Sequence, residues 1–157
     1  MPQPTKTPWT PSQERIATVF MRYMTAANVW LFRMTGGWLG SRFTHGAPVC
    51  LVTTIGKRSG ERRPIALIYL QDGTDVVLVA SKGGMSHHPG WYHNMMAHPE
   101  VEVEIGRATQ RMRARRAAAD EKRALWPKLI AIYPDYDDYQ ARTTREIPVV
   151  ILSALRG

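Results

Sequence analysis

Cysteine is all but absent from this chain: Cys50 is the only one in 157 residues. No intrachain disulfide can form, and a cysteine-rich zinc module is excluded. Acidic side chains are also scarce, 13 Asp and Glu against 21 Lys and Arg, leaving a formal net charge of +8. That imbalance favours anionic partners: a phosphorylated or carboxylated ligand, an acidic membrane surface, or nucleic acid. There is no GxGxxG to suggest a dinucleotide fold and no GxSxG to mark a hydrolase nucleophile. The five histidines include no helical i,i+3 or i,i+4 pair, so a metal site is not indicated. A secretory signature is lacking too, which makes a reducing cytoplasm the expected compartment.

What is present suits one soluble globular domain, with 44% hydrophobic and 22% charged residues. Residues 1–11 hold Pro2, Pro4, Pro8 and Pro11 and read as a flexible, extended arm. Residues 12–40 read as an amphipathic helix and a Gly-rich loop. Ser12 is the expected N-cap, and Val19, Phe20, Tyr23, Met24, Ala27, Trp30, Leu31 and Met34 form the apolar stripe. Arg15, Arg22 and Arg33 make a narrow basic stripe, and Arg22 interrupts any membrane-spanning run. The favoured reading is that the apolar face packs on the domain; an interfacial membrane anchor is the second.

Residues 41–157 read as strands with a few helices. Val49 to Ile55, Pro64 to Leu70 and Val76 to Ala80 form a meander, with Asp72-Gly73 as a hairpin turn. Pairing Ile105 with Ala108 sets Glu102 against Arg111, Glu100 against Arg113 and Val101 against Met112. RMRARR is therefore expected to be a solvated strand face opposite glutamates, not a nucleic-acid patch. Helices are expected over residues 89–97 and from Asp120 to about Tyr133, and a last strand over 147–152. The architecture predicted is mainly β (α+β), a small barrel of about six antiparallel strands with peripheral helices.

Three motifs could carry chemistry. GKRSGERR (56–63) places Lys57, Arg58, Arg62 and Arg63 around two glycines at a strand turn. Accessible amides and cations suit phosphate or carboxylate oxygens, although a basic hairpin tip is as often merely solvated. SKGG (81–84) offers a hydroxyl, a cation and open backbone, and on its own is equally a simple turn. Tyr133, Tyr136 and Tyr139 are three apart; core packing is the commoner role for such tyrosines, and an aromatic wall over a planar ligand is the functional one.

GKRSGERR, YLQDG, VLVASKGG, HPGWYHNMMAHPEVEVEI, LWPKLIAIYPDYDDYQ and IPVVI occur here in one order. That succession, over about residues 48–153, resembles the deazaflavin-dependent nitroreductase family of actinobacteria, the class A F420-dependent oxidoreductases. The resemblance implies an FMN-binding split-barrel-like fold. It also implies an enzyme that passes hydride from reduced coenzyme F420 to a small acceptor such as a quinone, nitroaromatic or activated enone. By the same resemblance Lys57, Arg58, Ser59, Gly60 and Arg63 hold the anionic tail of F420. Ala66, Ala80, Ser81, Lys82, Gly83 and Gly84 border the deazaflavin, with Trp91 and Asn94 closing its pocket. Ile68, Tyr133, Tyr136 and Tyr139 face the acceptor, and Ser81 and Tyr136 are the candidate catalytic residues. Ile68 replaces a tyrosine and Ala66 a proline common in the family, and His87-His88 replaces a polar pair. These departures bear on the acceptor rather than on the cofactor. The competing readings are a non-catalytic barrel for another flavin, heme or lipid, and a basic membrane-surface module. Peripheral contact with an anionic membrane through the first helix is the expected addition to a cytoplasmic enzyme, with no nucleic-acid partner.

Overall fold

The computed structural model describes residues 3–38 and 44–155. The expected boundary at residues 40 and 41, including Gly40, lies outside the described residues, as do the first two residues of the arm. The strands are β1 (Val49–Ile55), β2 (Arg62–Asp72), β3 (Asp75–Val79), β4 (Glu100–Ile105), β5 (Ala108–Arg116) and β6 (Val149–Ala154). They close into an antiparallel barrel in the order β1-β2-β3-β6-β5-β4, with β4 pairing back onto β1. The β4–β5 register is the predicted one, with Ile105 opposite Ala108, Glu102 opposite Arg111, Glu100 opposite Arg113 and Val101 opposite Met112. Arg111 and Arg113 are exposed, and Arg111 donates to Glu100 at 2.8 Å.

Strand alternation builds two layers. Cys50, Val52, Leu78, Val103, Met112 and Leu152 fill the barrel interior. Val77, Val79, Val149 and Ile151 point outward beneath the helices α3 (Ala119–Ile132) and α4 (Asp135–Arg142). β2 sorts its residues the same way: Ile65, Leu67 and Tyr69 turn inward, while Ile68 and Leu70 join the outer cluster. Burial pushes the Cys50 thiol up to about 12, which removes it as a nucleophile. The helix α2 (Gly90–Ala97) covers one end of the barrel with Trp91, Tyr92 and Met95. α3 continues through Pro127, and its first turn is closed by Glu121, which accepts from the Ala118 amide at 2.8 Å.

The first helix departs from expectation in two ways. α1 spans Pro11–Met34, and its N-cap is Thr10, not Ser12: the Thr10 hydroxyl accepts from the Gln13 amide while the Gln13 side chain accepts from the Thr10 amide. Pro11 at the first helical position costs no hydrogen bond, which moves the start forward. More consequentially, α1 does not pack with its apolar stripe. Val29 and Phe32, on the opposite side, seat it on Leu51 and Ala66. Phe20, Tyr23 and Trp30 stay 64%, 73% and 63% exposed, and Ile16, Met24 and Met34 share that outer face.

Candidate functional site

The turn between β1 and β2 is rigid at its base and free at its tip. Gly56 donates to the Glu61 carbonyl at 2.8 Å and Gly60 to the Gly56 carbonyl at 2.9 Å, with Gly60 at φ +68°. Asn94 on α2 holds it from the side, accepting from the Lys57 amide at 2.9 Å and donating to the Thr54 hydroxyl at 3.1 Å. Above that base Lys57, Arg58, Ser59 and Gly60 are exposed. Arg63 is paired with Glu61 at 2.9 Å and Arg62 with Glu102 at 3.0 Å, whereas Lys57 and Arg58 form no ion pair among the described residues. Exposed cations beside a glycine turn are the side chains that carboxylate or phosphate oxygens bond to most strongly.

The second loop follows β3. Ala80 is fully buried and Ser81 begins a 3₁₀ turn over Lys82–Gly84. Ser81 is right-handed helical, while Lys82, Gly83 and Gly84 have φ of 45°, 62° and 75°. A right-handed residue followed by left-handed ones turns consecutive N–H groups to one side, forming an anion-binding concavity. None of the amides of Ser81, Lys82 and Gly83 has a hydrogen-bond partner among the described residues. A Cβ on Gly84 would come within 2.4 Å of the Tyr139 carbonyl, so glycine is needed there twice over, for space and for φ.

α2 connects the two loops. At its N-terminal end His88 meets Arg145 at 3.0 Å, and Arg145 also donates to the carbonyls of Ala80, Ser81 and Met85; six residues along, Asn94 reaches the Lys57 turn. Burial first, then the charges of Arg145, His93 and Arg116, hold His88 below the usual imidazole range, consistent with a neutral ring accepting at Nδ1. Trp91 is buried, packed in the interior cluster with Tyr92 and Met95.

On the other flank the tyrosines gather. Tyr133, Tyr136 and Tyr139 pack in one cluster with Ile68, and the Tyr133 and Tyr139 hydroxyls lie 3.0 Å apart. Burial first, then Tyr139 and Cys50, push the Tyr136 phenol above its usual range. Tyr136 is 4% exposed and packs edge-on against Tyr139, with ring centroids 6.4 Å apart. α4 packs directly on the Ser81 loop through the Gly84–Tyr139 contact.

α1 lies across the remaining side. Trp9 donates to the Gly83 carbonyl at 2.9 Å, Glu14 accepts from the Ser86 amide and hydroxyl at 2.7 and 2.8 Å, and Met21 reaches Gly83. Ala66 is covered by Val29 and Phe32. Eight residues of helix separate Met21 from Val29, so α1 roofs about 12 Å between the Gly83 loop and Ala66. Arg145, Glu14 and Trp9 carried no signal in the sequence: their partners lie 64, 72 and 74 positions away. Two depressions elsewhere, one lined by His98, Glu100 and Arg113 and the other by Arg62, Glu102 and Arg111, are edged by the Arg111–Glu100 and Arg62–Glu102 ion pairs.

Comparison with known proteins places the chain in context. A family model described as F420H(2)-dependent quinone reductase matches residues 24–154. An F420H(2)-dependent quinone reductase of Mycobacterium tuberculosis is 36% identical over 126 residues, 78% of this chain and 85% of that one. A solved F420-H2 dependent reductase, FDR-A, is 37% identical and superposes with a TM-score of 0.63 over 68% of this chain and 94% of its own. A second solved structure, described as a domain-swapped dimer, is 32% identical with a TM-score of 0.66 over 87% of this chain and 98% of its own.

Proposed function

The chain belongs to the F420H(2)-dependent quinone reductase family, and on that premise we propose how its residues divide the work of reducing a quinone with F420. It is an F420-dependent oxidoreductase with a split barrel, which supersedes the non-catalytic readings. Bound reduced F420 supplies the hydride. The unpaired Lys57 and Arg58, with Arg63, Ser59 and Gly60, receive the acidic tail. The concave amides at Ser81, Lys82 and Gly83, closed by Gly84 and Ala80, take a polar edge of the ring, and Ala66 with Asn94 borders it. Ile68 and the three tyrosines form the acceptor wall. Reduction of a quinone oxygen also needs a hydrogen bond or a proton. In this reading Ser81 gives one, and Tyr136, kept protonated by burial, acts as a donor and not as a base. The reading rests chiefly on two cations with no ion pair, and an amide concavity with no internal partner, among the described residues; Asn94 of α2 braces the first, and His88, just before α2, reaches the second through Arg145.

The experiment is a fluorescence titration of the protein into oxidised F420, with FMN in parallel and a Lys57→Ala/Arg58→Ala variant. Loss of two charge-assisted contacts should weaken F420 binding by at least about tenfold. Unchanged affinity in the variant, or binding of FMN alone, would overturn the assignment.

We further propose that α1 meets an anionic membrane surface at the cytoplasmic face. Its outer face carries Ile16, Phe20, Tyr23, Met24, Trp30 and Met34, with Arg15 and Arg22 exposed beside them. Aromatic and basic side chains on one apolar helix suit the lipid interface, and among the described residues no helix is long and apolar enough to cross a membrane. Because the other side of α1 roofs Ala66 and Gly83, its attraction to lipid would uncover the cofactor strip. Sedimentation with anionic vesicles, weakened by salt, is the expected result. Dimerisation without vesicle binding would show that a second copy covers this face instead.

A further inference from the structure

Arg145 makes an unusual set of bonds for a side chain outside the barrel. Its Nη2 donates to the Ser81 carbonyl at 2.6 Å, its Nη1 to the Ala80 carbonyl at 3.2 Å and its Nε to the Met85 carbonyl at 2.7 Å. Each of these carbonyls shares a peptide unit with the next residue's N–H. The three units therefore end in the N–H groups of Ser81, Lys82 and Ser86. The Ser86 amide already binds an anion, the Glu14 carboxylate, at 2.7 Å. The amides of Ser81 and Lys82 have no partner among the described residues.

We infer that Arg145 is a positioning residue that fixes the Ala80–Ser86 loop and polarises the peptide N–H groups of Ser81 and Lys82 toward the bound F420. Two physical effects support this. A hydrogen bond accepted by a carbonyl strengthens the donor at the other end of the same peptide, and a guanidinium does so with a full charge. Lys82 at φ 45° is in a conformation that a side chain resists, and it is held where the Ser81 carbonyl takes both Arg145 and the Gly84 amide at 2.9 Å. Neutral His88, bonded to Nη1, keeps the fork from rotating. Glu14 shows what the device does: an oxygen anion is seated on the one polarised amide that faces α1. The same chemistry at Ser81 and Lys82 recognises an anionic or carbonyl oxygen. The inference rests on the assignment of this strip to F420, and its test includes a measurement that does not.

Two variants separate positioning from mere packing. Arg145→Met keeps bulk and loses every donor; Arg145→Lys keeps charge and part of the bonding. In the cofactor-free protein, the Arg145→Met variant should shift the Ser86 amide proton upfield and move the Lys82 carbon shifts away from left-handed values. Its F420 dissociation constant should rise by about tenfold, that of a charge-assisted contact, and Arg145→Lys should recover part of both. A merely structural arginine would instead lower the melting temperature in both variants, with wild-type amide shifts and F420 affinity in the folded fraction, and that result overturns the inference. Amide shifts that move as expected in a protein that binds no F420 would uphold the positioning role and sink the cofactor assignment alone.

Discussion

The β4–β5 hairpin and α1 are both amphipathic, yet they use their apolar faces in opposite ways. In the hairpin Val101, Val103 and Met112 turn into the barrel while the glutamates and arginines meet in water. In α1 the larger apolar face turns to water and two residues of the other face, Val29 and Phe32, hold the helix down. A strand in a closed barrel has no choice: its partners on both sides fix which face is inside. A peripheral helix has a choice. In α1 a pair of well-placed side chains seats the helix while the longer stripe stays exposed, a patch of the kind that marks an interaction surface.

The sharpest way to break the comparison is to place the same charge on both faces. Met112→Asp buries a carboxylate at a position 1% exposed and should cost at least ~4 kcal/mol, enough to lose cooperative unfolding. Phe20→Asp on α1 should stay within about 0.5 kcal/mol. Thermal unfolding followed by circular dichroism checks both; a large loss for Phe20→Asp would mean that the outer face is packed after all.

The contrast also explains what could be read in advance. The β4–β5 register was legible because charge pairs and the Gly106-Arg107 turn lie within a few residues of each other, and Ile105 opposite Ala108 follows directly. The turns at Lys57 and SKGG and the three-residue spacing of the tyrosines were legible as local structure, whereas their roles came only from the family resemblance. Which way α1 faces was not: periodicity identifies an apolar stripe but says nothing of what it points at, and nothing local singles out Val29 and Phe32. No local pattern marks Arg145 or Glu14, since their bonds to Ser81 and Ser86 exist only after the barrel closes.

Next in size is Gly84→Ala, at the loop between the two regions. The left-handed φ alone costs about 1–2 kcal/mol, and the new Cβ would press on the Tyr139 backbone. The loss should appear both in melting temperature and as weaker F420 binding, because α4 must move away from the Ser81 loop. A stable variant that binds normally would show that the Gly84–Tyr139 contact is dispensable.

A smaller effect on stability, with a large one on partition, is expected from Phe20→Ser/Trp30→Ser. Melting should barely change, since both side chains are exposed. Each apolar side chain moved into lipid contributes about 1.5–3 kcal/mol, so vesicle binding should fall at least tenfold per site. Retained binding would remove α1 from the interface and leave the outer face to a second copy of the chain.

The smallest effect concerns how α1 is tied down. Its grip on the Ser81 loop runs through Glu14, and that attachment titrates where the barrel's apolar seams do not. Burial raises the Glu14 carboxyl, but the bonds from the Ser86 amide and hydroxyl, with His87 and Lys82, bring it below the usual carboxylate range on balance. A carboxyl lowered in the folded state contributes stability above its unfolded value of about 4.3 and loses it as pH falls through the lower folded value. Glu14→Gln does not titrate. Wild type should therefore melt above Glu14→Gln at pH 7, and the gap should close as pH falls below about 4. The carboxylate is largely solvated, so the gap corresponds to less than about 1 kcal/mol. A gap that persists undiminished at pH 3 would mean that shape, not charge, holds this end of α1.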